Sequence, residues 1–243
     1  MAYSTPIAHI GVSLGQNGGT TSPGIDTTGA DFIALSVGYY SPSGVIVAGN
    51  ISDNKSNGNP TALTSYLSDD GEGSTRLFYW QAPTVGSGHT WTLTGVLSSF
   101  VSVCVVAVSG SVASPFDQEN GAGSASSVTT IQPGSITPTE GNELVLCSYG
   151  GDFSGSPLSI NGGFTIIDQV ATIGGASYAS SLAYLIQTSA AAANPAWSGF
   201  SAHCASAIAS FKDTPGGGGG RIYVVSNLSG LQPSGPFFQD PLG

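Results

Sequence analysis

Charge is scarce in this chain. Of its 243 residues only 7% are Asp, Glu, Lys or Arg; 4 basic residues (Lys55, Arg76, Lys212, Arg221) stand against 14 acids, for a net charge of −10. An ordinary domain is about a quarter charged. A nucleic-acid surface needs a dense field of Lys and Arg to neutralise phosphates, so that partner is excluded. An anionic membrane surface would repel the chain for the same reason. Disorder is excluded from the other side, because 40% of the residues are hydrophobic and disordered chains combine low hydrophobicity with high charge. Solvation falls to hydroxyls, amides and backbone, in keeping with abundant Ser and Thr and 36 Gly.

Cysteine and histidine are equally sparse. Cys104, Cys147 and Cys204 each sit inside an apolar strand-like run ("VSVCVVAV", "ELVLCSY", "AHCASAIA") and lack CxxC spacing. They read as small buried hydrophobes rather than a disulfide framework or thiolate metal site. His9, His89 and His203 fall in no metal-binding spacing, so structural or exposed histidines are the reading.

Catalytic motifs are missing as well. "GVSLG", residues 11–15, has the form of a nucleophile elbow, but "QNGGTTSPG" follows and cannot form the helix that exposes such a serine. Ser13 is therefore not assigned as a nucleophile. Glycoside hydrolysis needs two carboxylates facing each other across a cleft. Here Asp69, Asp70 and Glu72 ("SDDGEG") and Asp117 and Glu119 ("FDQEN") fall in loop-like segments without cross-strand pairing. No catalytic residue and no metal ligand is assigned. "DNKSNGN", residues 53–59, lacks the closing glutamate of a calcium loop and puts Lys55 at a ligand position, so it reads as an Asn/Gly hairpin turn. Weakly held Ca2+ at 53–59 or 69–72 is the one cofactor left open.

Long hydrophobic runs are absent; the longest, residues 103–108, has six residues, against the 18 or so of a membrane span. The opening "MAYSTPIAHIGVSLGQNGG" has no basic region and its apolar stretch is broken by His9, Gly11 and Ser13, so it is not read as a secretory signal. A surface of extracellular type without an export signal points to synthesis in a host cytoplasm and release by lysis, as for a virus particle.

What is present is β structure. Alternating runs rich in Val, Ile, Tyr, Phe and Thr, separated by Gly, Ser, Asn and Pro clusters, predict strands near 7–14, 31–40, 44–49, 61–67, 74–82, 89–95, 99–109, 127–132, 143–150, 164–173, 177–187, 195–199 and 202–211. Two halves echo each other. "ADFIALSVGYY" resembles "GNELVLCSYGG", and Trp91 and Trp197 are 106 residues apart, Tyr79 and Tyr184 105, Phe32 and Leu144 112. An all-β, double-sheet β-sandwich of jelly-roll type with two pseudo-repeated halves is expected. Its divisions are an N-terminal segment over 1–23, the sandwich over 24–212, a Gly-rich linker over 213–220 and a C-terminal arm over 221–243. Trp91 and Trp197 are expected as paired core residues. Phe78 and Trp80 share one face of their strand, which exposes aromatic surface unless a neighbour covers it. Trp80, Tyr39 and Tyr40 are the candidate platforms for stacking on a sugar.

The tail poses a separate question. Five glycines, residues 216–220, form a connector of maximal freedom. Beyond it Ile222, Tyr223, Val224 and Val225 have strand propensity, and Leu231, Phe237, Phe238 and Leu242 lie among prolines that hold the chain extended. Ordering such a segment costs about 1–2 kcal/mol per residue, so it needs apolar contact. The contact is either the domain's own surface or a neighbouring subunit's sheet edge and groove.

With "GIDTTGADFIALSVGYY", "SDNKSNGNPTALTSY", "APTVGSGHTWTLTG", "VAVSGSVASPFDQENGAGS", "IQPGSITPTEGNELVL" and "GFTIIDQ" in view, the chain resembles a broad group of β-sandwich domains. These recur in tailed-phage structural proteins and in phage-like or surface-associated bacterial proteins. The resemblance spans residues 24–212 and carries no catalytic motif. It implies a sandwich that displays or assembles: a homo-oligomeric virion protein, decorating a capsid or forming a head or tail appendage, with the major capsid protein among its partners. A carbohydrate-binding module or adhesin with a glycan receptor is the second expectation, and a hydrolase on a lectin-like sandwich the third.

Overall fold

Alternating Val, Ile and Ser residues give this chain strands that bury both of their faces. The computed structural model describes residues 3–16, 21–40, 44–95, 100–152, 158–171 and 178–214; the linker beyond Thr214 and the arm lie outside them. The first half contains β1 (Ala8–Gln16), β2 (Phe32–Tyr39), β3 (Ile51–Asp53), β4 (Thr61–Leu67), β5 (Ser74–Gln81), β6 (Trp91–Leu93) and β7 (Phe100–Val108). The second contains β8 (Ser111–Gly123), β9 (Val128–Ile131), β10 (Leu144–Gly151), β11 (Ser159–Ile160), β12 (Thr165–Val170), β13 (Ala179–Ile186), β14 (Trp197–Ala202) and β15 (Cys204–Asp213). Among the described residues there is no α-helix, only a short 3-10 turn at Ala48–Asn50.

Two five-stranded antiparallel sheets form the body. Their orders are β1-β7-β2-β5-β4 and β8-β15-β10-β13-β12, the same order when only the five strands of each large sheet are counted along the chain. Smaller sheets back them, β3-β6 in the first half and β11-β14-β9 in the second. The first small sheet gains a third strand's worth of pairing from the bridges of Thr21 to Thr92 and Ile25 to His89. Residues 8–16, assigned from sequence to an N-terminal segment, are thus the edge strand β1 of the first sheet, paired along β7.

The repeat offsets hold in the registers. Ala34 faces Tyr79 in the first sheet as Leu146 faces Tyr184 in the second, and these follow Phe32 and Leu144 by two residues. Asp53 opposes Trp91 as Ile160 opposes Trp197.

The large sheets meet face to face. Phe32, Leu77, Cys104 and Val106 of the first pack with Leu144, Leu146, Leu182 and Phe211 of the second. Each outer face is closed by its own small sheet: Leu35, Phe78, Trp80 and Val105 lie under Trp91 and Leu93, and Val145, Cys147 and Ile208 under Trp197 and Phe200. This layering explains why β2 and β10 are buried along their whole length, where an antiparallel sheet commonly leaves one face to water.

The sheets approach closely at a repeated glycine. Gly38 and Gly150 hold the same position in β2 and β10; a Cβ on Gly38 would lie 2.3 Å from Ser180 Cβ, and one on Gly150 would lie 2.1 Å from the Ser74 carbonyl oxygen. Beside them Tyr178 of the second half donates its hydroxyl to the Tyr39 carbonyl and accepts the Ser74 amide at 3.0 Å, and Thr75 donates to Ser148 at 2.9 Å.

Four expectations change. Residues 44–49 form no ladder: Ile46 points into the first outer core while Val45 and Val47 point out, so the alternation is real but unpaired. The segment carrying Asp117 and Glu119 is the 13-residue strand β8, not a loop; as a sheet edge it tolerates Pro115. Trp80 and Tyr39 are buried, because the small sheet and the β4 strand cover the face that the sequence left open. Trp80 donates its indole N–H to the Gly58 carbonyl at 3.0 Å, and the Tyr39 hydroxyl meets Ser65 at 2.5 Å. Tyr40 is half-buried against Phe100. Trp80 and Tyr39 thus present no open ring face to a sugar.

Candidate functional site

Ionisable side chains are so few that each polar cluster can be followed individually. The most enclosed lies under the first small sheet, where β3 ends at Asp53 and His89 precedes β6. His89 Nε2 is 3.0 Å from Asp53 Oδ2, and His89 Nδ1 is 3.0 Å from Thr27 Oγ1. The imidazole stacks on Trp91, with ring centroids 4.2 Å apart. Hydroxyl, imidazole and carboxylate in sequence are the parts of a nucleophile relay. Here all three are spent on structure.

Asp53 accepts the amides of Lys55 and Asn57 on Oδ1, and the Asn57 side chain as well as His89 on Oδ2. Burial pushes the Asp53 carboxyl up, but these donors together outweigh it and hold it below the usual carboxylate value. Burial also lowers His89, against the pull of Asp53. The imidazole is then neutral, donates Nε2–H to Asp53 and accepts the Thr27 hydroxyl at Nδ1. Thr27 in turn accepts the Gly86 amide at 3.1 Å. His89 and Asp53 side chains are sealed from solvent, so no substrate reaches the hydroxyl.

The next position along is duplicated. Asn54 accepts the Thr90 amide at 3.0 Å, and Asn161 accepts the Ala196 amide at 2.8 Å. Each Asn also gives its own amide to the carbonyl of that same residue. Both halves tie the turn after the small sheet's first strand in this way. The calcium-like character of residues 53–59 is thus an Asx turn, its Asp53 oxygens already taken by N–H donors.

The acids of β8 are similarly engaged. Glu119 accepts the Thr64 amide and hydroxyl at 3.0 and 2.6 Å. Asp117 accepts both groups of Thr139 at 2.8 Å and pairs with Lys212 at 3.2 Å. Beside it lies Glu143, fully buried just before β10; burial raises its carboxyl, and the Asp117 charge adds to the rise. Sequence reading missed this pair because Glu143 is the polar residue of an otherwise apolar run. Burial pushes the three thiols up to about 12, and all are free; they are neither nucleophiles nor thiolate ligands at neutral pH.

A second cluster faces solvent at the β4–β5 turn. Asp70 accepts the Ser68 hydroxyl at 2.6 Å and the Glu72 amide at 3.0 Å, and its carboxylate is paired with His203 at the β14–β15 junction. Burial raises Asp70, but the Ser68 and Glu72 hydrogen bonds and the imidazole together leave it below the usual range. Asp70, Glu72 and His203 are, among the described residues, the three His, Cys, Asp or Glu side chains whose donor atoms converge, all within 4.8 Å of one another. Nothing in the spacing of the sequence joins residue 203 to residues 70 and 72; the fold does.

One depression of about 310 Å³ lies along Ile51–Asp53, Ser56, Gly58 and Asn59, and another of about 210 Å³ between His9 and Tyr184, where His9 pairs with Asp168 at 2.9 Å. Comparison with family models, with curated proteins and with solved structures returned no match.

Proposed function

We propose that the chain is a non-enzymatic virion structural protein of a tailed bacteriophage, an oligomerising jelly-roll subunit that decorates a capsid or forms a head or tail appendage. The observation that carries this reading is where the described ends leave the body. Ser4 gives its amide to the Ser109 carbonyl at 2.9 Å, and Thr214 gives its amide to the Gly110 carbonyl at 2.7 Å. Both ends therefore emerge at the β7–β8 turn, on one pole. The chain beyond Thr214 starts from that pole, and in this reading the opposite pole is left for display. The arm's apolar residues, Ile222 to Val225, Leu231, Phe237, Phe238 and Leu242, lie outside the described residues; in this reading they pair with a neighbouring subunit.

Each large sheet is drawn from one half of the chain and the two share one strand order; two similar units folded against each other are what supports the jelly-roll element of the reading. The low-charge, hydroxyl-rich exterior suits an exposed particle. The carbohydrate-binding alternative is weakened by the burial of Trp80 and Tyr39.

The test is the solution mass, by light scattering, of the full chain and of a chain ending at Thr214. A defined oligomer that becomes a folded monomer on truncation is expected. Monomers of equal stability in both cases would overturn the assembly role of the arm.

A further inference from the structure

The Asp70 cluster draws on both halves of the molecule. The loop of residues 68–73 carries two of its members and is held against the second half by backbone contacts: the Asp69 amide donates to the Ser124 carbonyl at 3.0 Å, and the Ser124 amide to the Cys204 carbonyl at 2.8 Å. Gly73 lies so close that a Cβ there would sit 2.5 Å from Cys204 Cα. This contact brings His203, next to Cys204, over the acids of the turn.

Two observations point to a ligand. The donor set is mixed, one imidazole and two carboxylates, rather than a patch of acids. In addition, Nδ1 of His203 is closed off from solvent and paired with Asp70 Oδ2, so the imidazole is aimed into the cluster.

We propose that Asp70, Glu72 and His203 bind a divalent transition-metal ion of the Zn2+ class, which clips the β4–β5 turn of the first half to the β14–β15 junction of the second. Imidazole with carboxylates suits Zn2+, Mn2+ or Co2+, whereas Ca2+ and Mg2+ take oxygen ligands. In a tetrahedral site with Zn2+ bonds of about 2.0–2.2 Å the ligand atoms lie about 3.4 Å apart, so donors within 4.8 Å of one another need to draw in by up to about 1.4 Å, a movement within the reach of side-chain rotation. The ion would have three protein ligands and water in the remaining position. The site lies at the start of β15, about 30 Å from the end of that strand at the pole of the chain termini.

The experiment is calorimetric titration of chelator-treated full-length protein with ZnCl2, CaCl2 and MgCl2, with thermal unfolding alongside. One Zn2+ per chain is expected, raising Tm, with Ca2+ and Mg2+ unable to displace it. Glu72→Gln, at a partly exposed position, should weaken Zn2+ binding about tenfold or more without changing the metal-free Tm; His203→Gln should abolish binding. No saturable Zn2+ uptake would overturn the site. So would binding unchanged in Glu72→Gln, which decides the matter even if His203→Gln misfolds, or a preference for Ca2+.

Discussion

Under Trp91 the first half places His89 and Asp53; under Trp197 the second half places Pro195, two residues before the indole as His89 is, and Ile160, opposite it as Asp53 is. Both tryptophans are fully buried and cap an outer core. Their indole N–H groups fare differently. Trp197 donates to Cys147 Sγ at 3.2 Å, while Trp91 Nε1 has no partner and its ring instead stacks on an imidazole. The comparison separates what the duplicated fold requires from what each half chose. A large flat side chain over the sheet is required, and the polar means of fixing the neighbouring turn is not. The Asn54 and Asn161 bonds belong to the required set.

Removing the tryptophans should have the largest effect. Trp91→Ala and Trp197→Ala are each expected to destabilise by about 3–5 kcal/mol, and a large inequality in denaturant midpoints would break the equivalence of the two outer cores. The milder Trp→Phe changes sharpen the comparison: Trp197→Phe should cost more than Trp91→Phe, since it alone removes a hydrogen bond.

Next come the glycines at the sheet contact. Gly150→Ala is expected to destabilise by about 3 kcal/mol, because its Cβ meets a backbone carbonyl that cannot rotate away. Gly38→Ala meets a side-chain carbon and should cost less. Equal losses would show that the sheets do not approach as described.

The buried His89 supplies a pH test. Its folded-state pKa is lowered, so its contribution to stability is complete above the unfolded value of about 6.5 and is lost as pH falls toward the folded value. Asp53, also lowered, contributes above about 3.9 and is lost below it. Urea midpoints should therefore decline from pH 6.5 to 5 in the natural chain and decline less in His89→Gln. An unchanged slope would remove His89 from the account. Smallest are Asn54→Ala and Asn161→Ala, each expected to cost about 1 kcal/mol, with near equality as the point of the measurement.

Much of this architecture was legible in the sequence because its repeat is carried by bulky residues at fixed offsets. Phe32 and Leu144, Tyr79 and Tyr184, and Trp91 and Trp197 all hold matching positions. Long central strands, buried on both faces, announced themselves as Val-rich runs. β8 did not: its sequence "SVASPFDQENGAG" has the Pro, Asn and Gly of a turn, and only its place at the sheet edge lets it pair. The two-residue β11 and three-residue β3 are too short for any alternation to show. Trp80 misled for another reason. Alternation assigns a side chain to a face of its strand but says nothing of a second layer above that face. The Asp70 and His203 pair was beyond reach, since the close approach of Gly73 to Cys204 that joins them is a property of two packed halves.

The central claim is that two equivalent sandwiches share one inter-sheet core and fold as a unit. It is tested most directly by urea unfolding followed through tryptophan emission in two variants. Trp197→Phe leaves Trp80 and Trp91 as reporters of the first half, and Trp80→Phe combined with Trp91→Phe leaves Trp197 to report the second. Within each variant the emission transition is set against the far-ultraviolet circular dichroism of the whole chain. Coincident transitions in both are predicted, because Phe32, Leu77, Leu144 and Phe211 lie in one cluster. An emission transition well separated from the circular dichroism in either variant would contradict it and make the halves independent domains.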